Sequence, residues 1–166
     1  MLNWSDLPAL SDSPADALIR RLRFIEPQMA ALALETCAVF DPDGTLRMTR
    51  TGERNRIAFS ASDDEQLRGA VFTHNHPSGA GFSLADIWFA HRYDLAEMRA
   101  VAGHMVWRLL RPAAGWNQPF CQTRMQLALR RIARYATDER RYVKAAARQL
   151  PWLLAELSLL SFFEPI

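Results

Sequence analysis

Lysine is nearly absent from this chain: Lys144 is the only one among 20 basic residues, and the others are arginine. That bias reflects the source of the protein and carries no functional content. Cysteine is scarce too. Cys37 and Cys121 lie far apart and make no disulfide framework, which excludes a stapled secreted scaffold and points to free thiols in a reducing, cytoplasmic setting. The opening residues, Met-Leu-Asn-Trp-Ser-Asp, lack the basic start and apolar run of a secretory signal. No apolar stretch reaches the length of a membrane span. There is no internal repeat, low-complexity tract or obvious flexible linker. What is left is an ordinary globular composition, 49% hydrophobic and 23% charged, in 166 residues, enough for one domain to bury a core without staples.

Charge is unevenly placed. From Arg124 to Arg148 there are eight basic residues against only Asp138 and Glu139, in an Ala/Arg-rich stretch that reads as one long helix, 122–150. Nucleic acid or an acidic partner could use such a stretch, but aromatic interleaving is thin and no nucleic-acid motif accompanies it. A solvated helix face is the plainer reading. After Pro151 the chain becomes very apolar, with Trp152, Leu153, Leu154, Leu157, Leu159, Leu160, Phe162 and Phe163. This tail reads as core, or as a surface for a homo-oligomer or protein partner, rather than as a membrane anchor.

Residues 1–115 read as an α/β (α+β) unit. Ser13-Pro14 is a helix start, N-cap then first helical residue, opening a helix to about Phe24. Strands are expected over 32–40, 45–50, 56–60, 70–73, 99–102 and 105–110. Asp41-Pro42-Asp43-Gly44 makes the first turn and Gly103 another. A helical turn is expected near 62–66, and Ser83-Leu-Ala-Asp86 opens a helix to about Tyr93. Residues 116–166 are expected as a helical C-terminal extension packed on the same domain.

Within this order, residues 71–86 carry the chemistry: Val-Phe-Thr-His-Asn-His-Pro-Ser-Gly-Ala-Gly-Phe-Ser-Leu-Ala-Asp. At the end of a strand, His74 and His76 project from one face because side chains alternate with period two. The Pro/Gly loop then turns the chain so that Asp86, in the first turn of a helix, faces the same point. Two imidazoles and one carboxylate, with no fourth protein ligand, match a catalytic zinc site that keeps one position for water. Each piece also has a structural reading. Ser83 and Asp86 are spaced as a helix cap, and Asn75 with Pro77-Ser-Gly could simply make a turn. Their joint occurrence is what points to a metal.

The run His-Asn-His-Pro-Ser-Gly followed by Ser-x-x-Asp resembles the JAB/MPN (JAMM) metalloprotease family, most nearly its RadC-like branch. The similarity spans about 32–110. The family pattern has seven residues between the second histidine and the serine, and this chain has six, Pro77 to Phe82. The resemblance implies a JAB/MPN-like mixed sheet flanked by helices. It implies His74, His76 and Asp86 as zinc ligands, and Ser83 as a stabiliser of the oxyanion formed when metal-activated water attacks an amide carbonyl. An upstream glutamate would take the proton and return it to the leaving amine. Glu35 is the choice for that role; Glu53, in the polar segment Thr51-Gly-Glu-Arg-Asn, is its competitor.

His91, five residues after Asp86, falls about 140° round the helix and off the ligand face. His104 sits in a turn. Cys37 shares a strand face with Glu35, but a small buried cysteine is the common case. The residues of an HNH nuclease are dispersed rather than consecutive, a Fic motif lacks its Phe and Asn-Gly-Arg here, and Gly79-Ala-Gly81 has no Lys-Ser/Thr ending for phosphate. Two functions remain open. One is a zinc-dependent hydrolase acting on a peptide or on an isopeptide link to a ubiquitin-like protein. The other is a non-catalytic binding or assembly module on the same core, of phage or mobile-element type.

Overall fold

The computed structural model describes residues 2–10, 13–116 and 162–166, with Thr123, Gln126, Leu127 and Arg130. Apart from those four residues, which are helical, the expected basic helix lies outside the described residues, as does most of the apolar tail. No helix among the described residues is long and apolar enough to cross a membrane.

Helix α1 (Pro14–Met29) begins at the expected proline and runs five residues past Phe24. Leu22, Ile25 and Met29 continue one buried stripe, and burial of that stripe outweighs the helix-breaking tendency of Pro27. Gln28 Nε2 donates to the Phe24 carbonyl at 2.8 Å, satisfying an acceptor in the turn that the proline disturbs. Strand β1 (Thr36–Phe40) is shorter than expected, since residues 32–35 precede it as an irregular approach. The turn at 41–44 closes with Gly44 N–H on the Asp41 carbonyl at 2.8 Å and leads into β2 (Leu46–Thr51).

Residues 56–60 are not a strand. Ile57 and Phe59 turn inward and their neighbours outward, which produces the alternation, but the segment pairs with no ladder. A 3-10 turn (Ala61–Asp63) and α2 (Asp64–Leu67) then lead to β3 (Val71–Asn75). Helix α3 (Leu84–Arg92) crosses to β4 (Glu97–Ala102), and Gly103 (φ 63) turns the chain into β5 (Met105–Leu110).

With a sixth strand, β6 (Phe162–Pro165), the strands form one mixed sheet in the order β2-β1-β3-β4-β5-β6, so the chain is of the α+β class. β3 and β4 are parallel, joined through α3; the other pairs are antiparallel. The last strand, β6 (Phe162–Pro165), corrects the expectation of a wholly helical extension: the chain end returns to the sheet beside β5. Trp116, the first residue of that extension, is fully buried and donates from Nε1 to the Leu95 carbonyl at 2.8 Å.

Alternation sorts the sheet into two cores. Ala38, Phe40 and Val71 pack against α1, while Cys37, Val39, Phe72 and Ala100 pack with Ile87 and Ala90 of α3. On the α1 face sits a buried ion network that sequence reading did not single out. Arg99 Nε and Nη2 donate to Glu26 at 2.6 and 2.9 Å, Arg99 Nη1 reaches Glu97 at 2.7 Å, and Thr73 Oγ1 donates to Glu26 at 2.9 Å. Bidentate geometry of this kind compensates charges withdrawn from water. A cavity of about 650 Å³ opens beside it, but its charged walls include the Arg99, Glu26 and Glu97 that already hold one another.

Candidate metal centre

His74 is the fourth residue of β3. His76 stays in register just beyond it, its N–H on the Val101 carbonyl at 2.8 Å. Both imidazoles therefore leave the same face, toward α3. The chain then turns at 76–79, Gly79 N–H bonding the His76 carbonyl at 2.9 Å. Gly79 has φ 72, where an L side chain would be strained. The loop delivers Ser83 as the N-cap of α3 and Asp86 as its third residue. Ser83 Oγ accepts from Asp86 N–H at 3.2 Å, and Asp86 Oδ2 accepts from Ser83 N–H at 2.6 Å and from the Ser83 hydroxyl at 2.7 Å. This reciprocal box fixes the carboxylate that points at the histidines.

Three side chains converge. His74 Nε2 and His76 Nε2 are 2.8 Å apart; Asp86 Oδ1 lies 3.3 Å from the first and Oδ2 3.5 Å from the second. In a tetrahedral site with bonds of about 2.0–2.1 Å, adjacent ligand atoms stand about 3.3–3.4 Å apart. The nearest carboxylate oxygen stands at about that spacing from each imidazole, a different oxygen for each, and the imidazole pair needs to open by about half an ångström. Among the described residues this is the group of His, Cys, Asp and Glu that could hold a metal ion.

The tautomer also suits a ligand. His76 Nδ1 faces only carbonyl oxygens, Ala80 at 2.9 Å and Gly81 at 3.0 Å, so it carries the proton and leaves the Nε2 lone pair toward the site. His74 Nδ1 is buried without a hydrogen bond of normal geometry, though the main chain of Arg99 on β4 favours its protonated form.

Electrostatics divides the two imidazoles. Burial alone would depress His74, but Asp86 and then Glu35 outweigh it and raise its pKa. Burial and the neighbouring His74 charge lower that of His76. Asp86 is penalised by burial, yet the His74 charge and hydrogen bond hold it at about 2. The arrangement binds one positive charge among three groups, and a divalent cation answers the same need more fully.

Glu35 immediately precedes β1, whose antiparallel register sets Cys37 opposite His74. It lines the same cavity, about 420 Å³, as His74, His76, Ser83 and Asp86. Its pKa is raised, first by burial, with His74 opposing and Asp86 reinforcing. Glu53 is exposed and does not line this cavity. Its main chain instead braces Glu35: Glu35 N–H donates to the Glu53 carbonyl, and Gly52 N–H to the Glu35 carbonyl, both at 2.8 Å.

Much of the rest of the wall is apolar, with Ile57, Phe59, Phe72, Phe82, Phe89 and Met98. Arg56 and Asn55 also line it. His91 and His104 are not in the metal-capable group. Burial pushes the Cys37 thiol up to about 12, so it stays protonated and is no nucleophile.

No protein-family model, curated protein or solved structure matches the chain. The site therefore stands on its own geometry.

Two contributions escaped sequence reading. The carbonyls of Ala80 and Gly81 anchor His76, and main-chain groups leave no mark in a sequence. Asn75, read as a turn residue, instead spans from β3 to the approach of β1.

Proposed function

We propose that the protein is a metal-dependent hydrolase of amide bonds, with His74, His76 and Asp86 holding a zinc ion and Glu35 transferring protons. The observation that carries this reading is the convergence of His74, His76 and Asp86 beside a partly buried Glu35 in one cavity. Two imidazoles and a carboxylate are a donor set that zinc accepts while keeping a position open. When bound, zinc supplies Lewis acidity, polarising a carbonyl and bringing the pKa of water to about 7.

The side chains divide the remaining work. Glu35, its pKa raised by burial, accepts a proton and returns it to the leaving amine. Ser83 fixes Asp86 with its hydroxyl proton, and stabilises the oxyanion once that hydroxyl turns from Asp86 toward the cavity. The apolar wall accepts an aliphatic or aromatic side chain beside the scissile amide, in a peptide or in the isopeptide tail of a ubiquitin-like conjugate. Glu35 and the shared motif are what recommend the JAMM-like mechanism over other uses of the same ligands.

A non-catalytic binding or assembly module is the second reading. It is favoured by the capping box, which gives Ser83 and Asp86 a complete structural role without turnover.

Metal analysis of the purified full chain, with hydrolysis assays on peptide and isopeptide substrates, tests the proposal. One zinc per chain, lost in His74→Ala, and hydrolysis lost in Glu35→Gln are expected. Iron in place of zinc would point to a different chemistry of the same triad. Zinc without any hydrolysis would leave the binding module.

A further inference from the structure

We infer that Asn75, the residue between the two histidines, is a positioning residue for Glu35: its carboxamide sets the place of the proton-transfer group relative to the ligands on either side of it. The inference rests on the reading of Glu35 given above.

Alternation sends the Asn75 side chain to the face opposite His74 and His76. There it is buried and uses three hydrogen-bonding functions at once. Oδ1 accepts from Thr36 N–H at 2.7 Å, while Nδ2 donates to the Leu32 and Leu34 carbonyls, each at 3.2 Å. These three groups bracket Glu35 along the chain. On the other side, the main chain of Glu35 is tied to Gly52 and Glu53. Its carboxylate is acted on by burial and by the charges of His74 and Asp86, with no hydrogen bond among the described residues. Its position therefore comes from its backbone, and Asn75 is the link from that backbone to the ligand strand.

The chemistry of the side chain matters. A carboxamide offers an acceptor and two donors; aspartate keeps the acceptor but sets a charge against two carbonyls. A single tripeptide thus supplies two ligands and, through its middle residue, the spacing to the proton acceptor. A one-residue change in that spacing would move Glu35 to the wrong face.

The test uses the full chain loaded with cobalt(II), whose visible spectrum changes with pH as the open coordination position ionises. Glu35→Gln removes a negative charge beside the site and is expected to lower the midpoint by about one pH unit. Asn75→Ala is expected to shift it in the same direction, and the double variant no further. Cobalt affinity in Asn75→Ala is expected to escape the roughly 10–100-fold loss that follows removal of a ligand's own hydrogen-bond partner. If Asn75→Ala does not fold, as judged by its thermal transition, Asn75→Ser, which adds no charge, is titrated instead. Coincidence of the Asn75 variant with wild type, or additive shifts in the double variant, overturns the inference while leaving the metal site standing. A wild-type chain that takes up no cobalt or zinc overturns both.

Discussion

Asp86 meets the two histidines through different oxygens, Oδ1 at 3.3 Å from His74 Nε2 and Oδ2 at 3.5 Å from His76 Nε2. In chelator-treated protein this makes a pH-dependent contribution to stability. Asp86, depressed to about 2, stabilises fully above its ordinary 3.8, and that contribution is lost as pH falls through about 2. His74, raised, stabilises fully below its ordinary 6.5, and that contribution is lost as pH rises through its folded value. His76, lowered, opposes folding as pH falls below 6.5, and the Asp86 charge eases that penalty, so its loss in the variant acts in the same direction. Urea unfolding should therefore show the stability difference between wild type and Asp86→Asn peaking between 3.8 and 6.5. A difference that is flat with pH would refute the pairing.

Zinc uptake should be stoichiometric near neutral pH and fall on acidification, because protons compete for His74 at a higher pH than for an ordinary histidine. Zinc at a hundred times its dissociation constant should stabilise the fold by about 2.7 kcal/mol, read as a chelator-reversible rise in thermal midpoint. His74→Ala should abolish the rise.

The two candidate glutamates separate cleanly. Glu35→Gln should lower kcat by about 10²–10⁴-fold with zinc content unchanged. Glu53→Gln leaves its bracing carbonyl in place, so kcat should hold. The reverse pattern would exchange their roles.

At Gly81 an added Cβ would stand 3.0 Å from the Trp107 ring. Gly81→Ala must displace either the ring or the loop whose carbonyl anchors His76. Zinc affinity should drop about tenfold, the low end of losses from outer partners of a ligand. Shortening the ring with Trp107→Leu should recover part of it in a competition titration.

Arg99→Met strands the buried Glu26 carboxylate, while Arg108 still holds Glu97 at 2.6 Å, and should cost about 3–5 kcal/mol in urea unfolding. The network lies on the face opposite the ligands, so zinc affinity in the folded variant should be unchanged.

The histidine pair was legible because period-two geometry is local, and Asp86 because a helix start announces its own first turn. Glu35 could be named but not placed: its nearness to His74 depends on the antiparallel register of β1 against β3. The network of Glu26 and Arg99 was invisible, since its partners lie 73 residues apart and each alone looks like a solvated charge. The extension of α1 past Pro27 shows burial outweighing a local breaker. Residues 56–60 teach the opposite lesson. Their alternation reported which side chains are covered, but said nothing of whether a neighbouring strand exists.

That same stretch has a consequence for the protein's history. Ile57 and Phe59 wall the cavity from a segment outside the sheet, held by contacts such as Arg50 on the Ala58 carbonyl at 2.8 Å. Segments of this kind tolerate insertion and exchange far better than paired strands. The ligands and Glu35, by contrast, are locked to β1, β3 and α3. If the protein is the metal-dependent hydrolase proposed above, diverging descendants could trade one preferred substrate for another by rewriting a handful of wall residues and keep the His74, His76 and Asp86 cluster intact.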